Sequence, residues 1–178
     1  MKTKRLLFFT LMILTLQIGC VYAVRYDGPY HGKVVDQETR EPIERAVILG
    51  TWGVYHYGLA GGYTTFHDAR ETVTDRNGEF TISGHGLLIL SSVGPMDALI
   101  YKSGYTYYRS GPWSTIKTGL YSSKDVKWEG NVPIFPLRKL TEEERKKQLL
   151  PSEDDVPSVL MRQEINKEAL FRGYSPLP

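Results

Sequence analysis

Glu71-Thr72-Val73-Thr74-Asp75-Arg76-Asn77-Gly78-Glu79-Phe80-Thr81-Ile82 is the most legible stretch of the 178-residue chain. Asn77-Gly78 supplies the positive φ values that a tight turn demands. Val73, Phe80 and Ile82 alternate with Thr72, Thr74, Glu79, Thr81 and Ser83. Two half-buried strands with one apolar face follow from that alternation. The stretch therefore predicts a β-hairpin, with Phe80 as a plug in the core.

On both sides of it, short apolar or β-branched runs recur between turn signals, the pattern of an all-β sandwich or barrel. Gly32-Lys33-Val34-Val35 is the first expected strand, and Asp36 to Pro42 a polar turn. Ala46 to Tyr55 is the longest strand, and Gly50 and Gly53 inside it mark a bulge or a close neighbouring backbone. Gly58 to Ala69 reads as a glycine-rich loop. Leu87 to Leu90 and Ala98 to Tyr101 read as strands, and residues 103–130 as a long loop rich in Gly, Ser and aromatics. Val132-Pro133-Ile134-Phe135-Pro136-Leu137 is the last strand, and its prolines place it at an edge or a strand end. At Leu140 the composition changes. Thr141 with Glu144 makes a capping box for a short helix ending before Pro151, and a second helix is expected over about Val156 to Phe171.

Residues 1–23 read as a secretory signal: Lys2, Lys4 and Arg5 precede an uncharged apolar run from Leu6 to Ile18. That run is short for a bilayer span, although a permanent anchor helix stays open. Two cuts fit. Val21-Tyr22-Ala23 suits ordinary signal peptidase and would release a soluble periplasmic chain. Leu16-Gln17-Ile18-Gly19-Cys20 resembles a bacterial lipobox, with Gln17 where an aliphatic residue is usual. A cut before Cys20 would leave it lipidated and tether the chain to the membrane of the cell envelope. The expected organisation is thus signal peptide 1–23, β-sandwich 24–139 and helical extension 140–178. Removing the three leader charges turns the formal +2 into 19 basic against 20 acidic residues, no field for a nucleic-acid partner. One cysteine excludes an intramolecular disulfide.

Tyr30-His31-Gly32-Lys33-Val34-Val35-Asp36, Pro42-Ile43-Glu44-Arg45-Ala46-Val47 and Thr74-Asp75-Arg76-Asn77-Gly78-Glu79-Phe80 together resemble the carboxypeptidase regulatory-like domain of the transthyretin-like sandwich group. The resemblance covers roughly residues 30–102, with 131–138 as closing strand. It implies an antiparallel transthyretin-like sandwich, and in metallocarboxypeptidases such a domain is not itself the protease. The group also includes hydroxyisourate hydrolases, which end in Tyr-Arg-Gly-Ser. Here Tyr108-Arg109-Ser110-Gly111 is internal and scrambled, so the activity does not carry over.

Motifs for chemistry are sparse. The chain lacks a His-Glu-x-x-His motif, a nucleophile elbow and a phosphate loop, so no cofactor is expected. His56, His67 and Asp68 bracket the glycine-rich loop and are the weak candidates for a metal or hydrolytic site. Tyr105, Tyr107, Tyr108 and Trp113 crowd one Gly/Ser-rich stretch; such rings either form a protein or sugar contact surface or cover the open end of the sandwich. The expectation is a non-catalytic envelope module, structural or binding a protein or a glycan; the alternative is a metal-dependent or hydrolytic enzyme with its site around His56, His67 and Asp68.

Overall fold

The structure is a computed structural model that describes residues 24–56, 58, 61–116, 126–151 and 158–177. The expected signal peptide, residues 1–23 with Cys20, lies outside the described residues. Ten strands are described: β1 Val24–Asp27, β2 Tyr30–Asp36, β3 Val47–His56, β4 Tyr63–Val73, β5 Glu79–Ile82, β6 Gly86–Ile89, β7 Asp97–Tyr101, β8 Tyr108–Pro112, β9 Lys127–Glu129 and β10 Val132–Leu137. Three helices accompany them: α1 Trp113–Ile116, α2 Glu142–Lys147 and α3 Val159–Phe171.

The chain is an all-β sandwich. One sheet has the order β5-β2-β10-β9, the facing one β4-β3-β7-β8, and β1 and β6 form a separate two-stranded ribbon. All pairings are antiparallel except β2 with β10, which run parallel. Between the sheets lies a core of Tyr30, Val34, Ile48, Trp52, Phe80, Ile82, Ile100 and Phe135, among others. The outer face of the second sheet is covered too. Val47, Leu49, Leu99 and Tyr101 point away from the first core and meet Met161 and Ile165 of α3. Residues 47–50 are therefore buried on both faces, which is why this part of β3 reads as a continuous apolar run.

The hairpin expected at residues 71–82 is corrected. β4 pairs with β3 and β5 pairs with β2, so the turn carries the chain from one sheet to the other. Thr74 is the reason. Its hydroxyl accepts from the Ala46 amide at 2.8 Å and donates to the Ile43 carbonyl at 2.6 Å, inside the protein. Thr74 is buried and Val73 exposed, the reverse of the expected alternation. The Asp75 carboxylate then accepts from the amides of Asn77 and Glu79, both at 2.9 Å, and bends the chain across. Gly78 sits at φ +74°, where a Cβ would strike the Val34 carbonyl oxygen. Phe80 and Ile82 are buried as expected.

Two further expectations are corrected. Residues 63–69 belong to strand β4 rather than to a loop, and residues 103–130 contain β8, α1 and β9. β10 is an interior strand despite its prolines. Among the described residues Pro133 pairs only with β9 and Pro136 only with β2, and Ile134 alone pairs on both sides. Each proline can therefore turn its missing N–H toward the side without a ladder. Gly53 marks the bulge that its place suggested, whereas Gly50 makes room for a side chain rather than a backbone. A register shift falls between Trp52 and Gly53, and a Cβ on Gly50 would lie 2.5 Å from the Met96 sulfur.

The capping box of α2 is present, with Arg138 and Thr141 holding the Glu144 carboxyl at about 2. The α3 terminus is capped from a distance: Glu71 of β4 accepts the amides of Val159, Leu160 and Met161 at 2.8, 3.0 and 2.8 Å. A carboxylate there meets the positive end of the helix. At the other end, buried Glu168 accepts from Arg145 at 2.7 Å, the Ser103 hydroxyl at 2.8 Å and the Gly104 amide at 3.1 Å. Burial alone would raise the Glu168 carboxyl, but Arg145, Ser103 and Gly104 outweigh it and hold it below the ordinary range.

Candidate contact surface

The four aromatic candidates do not share a surface. Tyr108 starts β8 and faces inward, 7% exposed, with its ring 5.0 Å from that of Phe135. Trp113, at the start of α1, is wedged among Tyr30, Phe80 and Phe135 at 5.3, 6.3 and 5.7 Å between ring centres. As contact-surface candidates these two are corrected, and the other reading of the stretch holds for them: they cover the open end of the sandwich. Tyr105 is half-buried and bridges to Lys139. It lines an open cavity of about 360 Å³ whose wall includes Asp36, Lys102 and Lys139. Tyr107 alone of the four is exposed.

The weak metal candidates are also separated. His56 ends β3, where its ring stacks on Tyr63 at 4.8 Å and its Nε2 lies 2.9 Å from the Thr65 hydroxyl. His67 and Asp68 lie further along β4, beside a residue the sequence reading did not connect with them. His85 stands with its ring 5.3 Å from that of His67 and its Nε2 3.7 Å from the Asp68 carboxylate. Arg70 joins Asp68 at 3.2 Å, lies over the Trp52 ring, and donates to the carbonyls of Ser83 and Gly84. Among the described residues, no group of three or more His, Cys, Asp or Glu is arranged to hold a metal.

Next to this group is Asp27, buried at the inner end of β1. It accepts from the Tyr30 hydroxyl at 2.5 Å, the Trp52 indole at 3.0 Å, the His85 amide at 2.9 Å and Arg25 at 3.2 Å. Burial pushes its carboxyl up, but these four donors prevail and keep it below the usual range. Burial and the Asp27 carboxylate push the Tyr30 hydroxyl well up. Every acceptor position of Asp27 is directed at structure, which ties the ribbon to the sandwich.

The exposed rings lie elsewhere. Past the bulge at Gly53, β3 and β4 continue as an arm on which Tyr55, Tyr63 and Phe66 are between 42% and 62% exposed. Register places Tyr63 on one face with His56 and Thr65, and Tyr55 on the other with Thr64. β4 is also the edge of its sheet, and residues 63–67 are exposed throughout. Sequence reasoning missed the arm because the glycines at 58, 61 and 62 were extended into a loop as far as Ala69. Tyr63-Thr64-Thr65-Phe66 carried the strand signal within it.

Among the described residues no helix is long and apolar enough to cross a membrane. No protein-family model, curated protein or solved structure matches the chain.

Proposed function

We propose that the chain is a non-catalytic module of the cell envelope, exported and lipid-anchored through Cys20, that holds a protein partner on its β3–β4 arm. The single observation carrying the contact reading is the arm itself. It is a long edge strand whose backbone N–H and C=O groups face outward, flanked by the exposed rings of Tyr55, Tyr63 and Phe66. An edge of this kind is a template for an added strand, and natural sheets ordinarily blunt it. Main-chain bonds to an extended segment would supply affinity, and the rings would supply selectivity. Support for the envelope comes from the leader at 1–23 and from Gly19-Cys20 at its end. The internal, scrambled Tyr108-Arg109-Ser110-Gly111 leaves the hydrolase activity of the transthyretin-like group without its motif here. The saturated hydrogen bonding of Asp27 also favours a structural use of the polar groups near it.

A photo-crosslinker at Thr65 in the full chain tests the reading in intact envelopes. One protein should be captured, and capture should be lost in Tyr63→Ala with Phe66→Ala while the melting curve stays in place. Absence of any protein crosslink, with retention on purified cell-wall glycan, would move the partner to carbohydrate. Capture unchanged by the double substitution would remove the arm from the contact.

A further inference from the structure

The β1–β6 ribbon is built inside out. Val24 pairs with Ile89 and Tyr26 with Leu87, so these four side chains share one face. That face is turned to solvent: all four are between 54% and 71% exposed. The ribbon's two charged residues point the other way. Arg25 donates to the carbonyls of Val93 and Gly94 at 2.6 and 2.8 Å, and Asp27 is buried. A ribbon in water keeps its apolar side chains inward and its charges outward, and this one does the reverse. Just past its end, Leu90 is 83% exposed and held at φ +49°, a left-handed conformation that a leucine rarely adopts. A contiguous apolar face of this kind marks a surface that is covered in use.

What covers it follows from where the chain comes from. Cys20 lies four residues before Val24, so extended backbone puts the anchor within about 14 Å of the ribbon. The surface always within that reach is the bilayer holding the anchor. We infer that the Val24–Tyr26–Leu87–Ile89 face, with Leu90 at its tip, rests in the interface of that bilayer. This rests on the anchored reading proposed above. An uncharged face with a tyrosine suits the boundary between headgroups and acyl chains. The contact also adds a second attachment to the acyl anchor and fixes how the sandwich stands on the membrane. Arg25 joins the ribbon to residues 93–94, and Val93 bridges to Val54, so the ribbon sits at the end of β3 that leads into the arm. α3 covers the opposite end, Val47 to Leu49. The arm would then leave the sandwich next to the lipid surface, positioned for a partner held in or on the same membrane.

The test uses the full-length protein extracted from membranes and reconstituted into vesicles carrying brominated acyl chains. Leu87→Trp places a reporter on the face, and Tyr174→Trp, beyond α3, is the control. Intact mass reads the state of Cys20 separately. The inference expects quenching of the Leu87→Trp emission at least twofold above wild type, with Tyr174→Trp at the wild-type level. Adding Tyr26→Ser and Ile89→Ser should abolish that quenching without moving the melting temperature. An acylated chain whose Leu87→Trp emission is unquenched overturns the inference and leaves the anchor standing. A blue-shifted but unquenched reporter assigns the face to a second copy of the chain and also overturns it. A chain with neither acyl group nor retained leader overturns both readings.

Discussion

The aromatic residues of β8 and α1 and those of the β3–β4 arm come from similar sequence, yet end in opposite places. Tyr108 and Trp113 follow Gly- and Ser-rich residues and lie against Phe135 inside the sandwich. Tyr63 and Phe66 follow glycines and stand in solvent. The difference is what lies opposite. β8 is laid along β7, so its inward side chains face the first sheet. The arm runs beyond the bulge at Gly53, and among the described residues its rings find no second sheet across from them. Ring content alone therefore does not mark a contact surface; the length of a strand relative to the facing sheet does.

The largest effect should come from the inner set. Tyr108→Ala should cost about 3–5 kcal/mol in denaturant unfolding, the range for large core truncations, and Trp113→Ala about 2 kcal/mol, because that ring is only partly buried. A loss below about 1 kcal/mol would put these rings back on the surface. Next comes Glu168→Ala, which leaves Arg145 without its buried partner and should cost about 3 kcal/mol, toward the lower end for such pairs because Arg145 is partly exposed. Asp27 and Glu168 both have lowered carboxyl values when folded. Their contribution is fully present above the unfolded range, about 4, and is lost as pH falls through the lower folded values. Melting followed from pH 6 to pH 2 should show that loss, and Glu168→Gln should flatten it; a melting temperature that rises on acidification contradicts the assignment. Glu71→Ala removes the remote cap of α3 and should cost about 1–2 kcal/mol, with exchange of the Val159 to Met161 amides accelerated. The smallest effect belongs to the arm: Tyr63→Ala with Phe66→Ala should shift stability by less than about 0.5 kcal/mol per site.

Local chemistry was legible and long-range pairing was not. Asn77-Gly78 announced a turn, and Phe80 its buried neighbour, because both depend on residues close in sequence. Whether that turn joins partners in one sheet or spans two sheets depends on Thr74 reaching Ala46 and Ile43, about thirty residues away, which alternation does not encode. The Thr141–Glu144 box was readable for the same local reason, and the cap from Glu71 was not, since it arrives from another layer. His85 escaped notice beside His67 and Asp68 because β4 and the segment after β5 meet only in three dimensions. The choice for Trp113 between surface anchor and cover stayed open in the sequence, because nothing in Gly111-Pro112-Trp113 reveals that α1 closes the sandwich.

Amide hydrogen exchange of the full chain, alone and on the envelope membranes proposed to carry it, tests most directly that the arm is the contact surface. The account predicts slowed exchange at alternate residues between Tyr63 and His67, those whose N–H groups point away from β3 and which an added strand would occupy, with Tyr108 to Pro112 unchanged. Protection gained along β8 or α1, with Tyr63 to His67 exchanging as in the isolated protein, would contradict it.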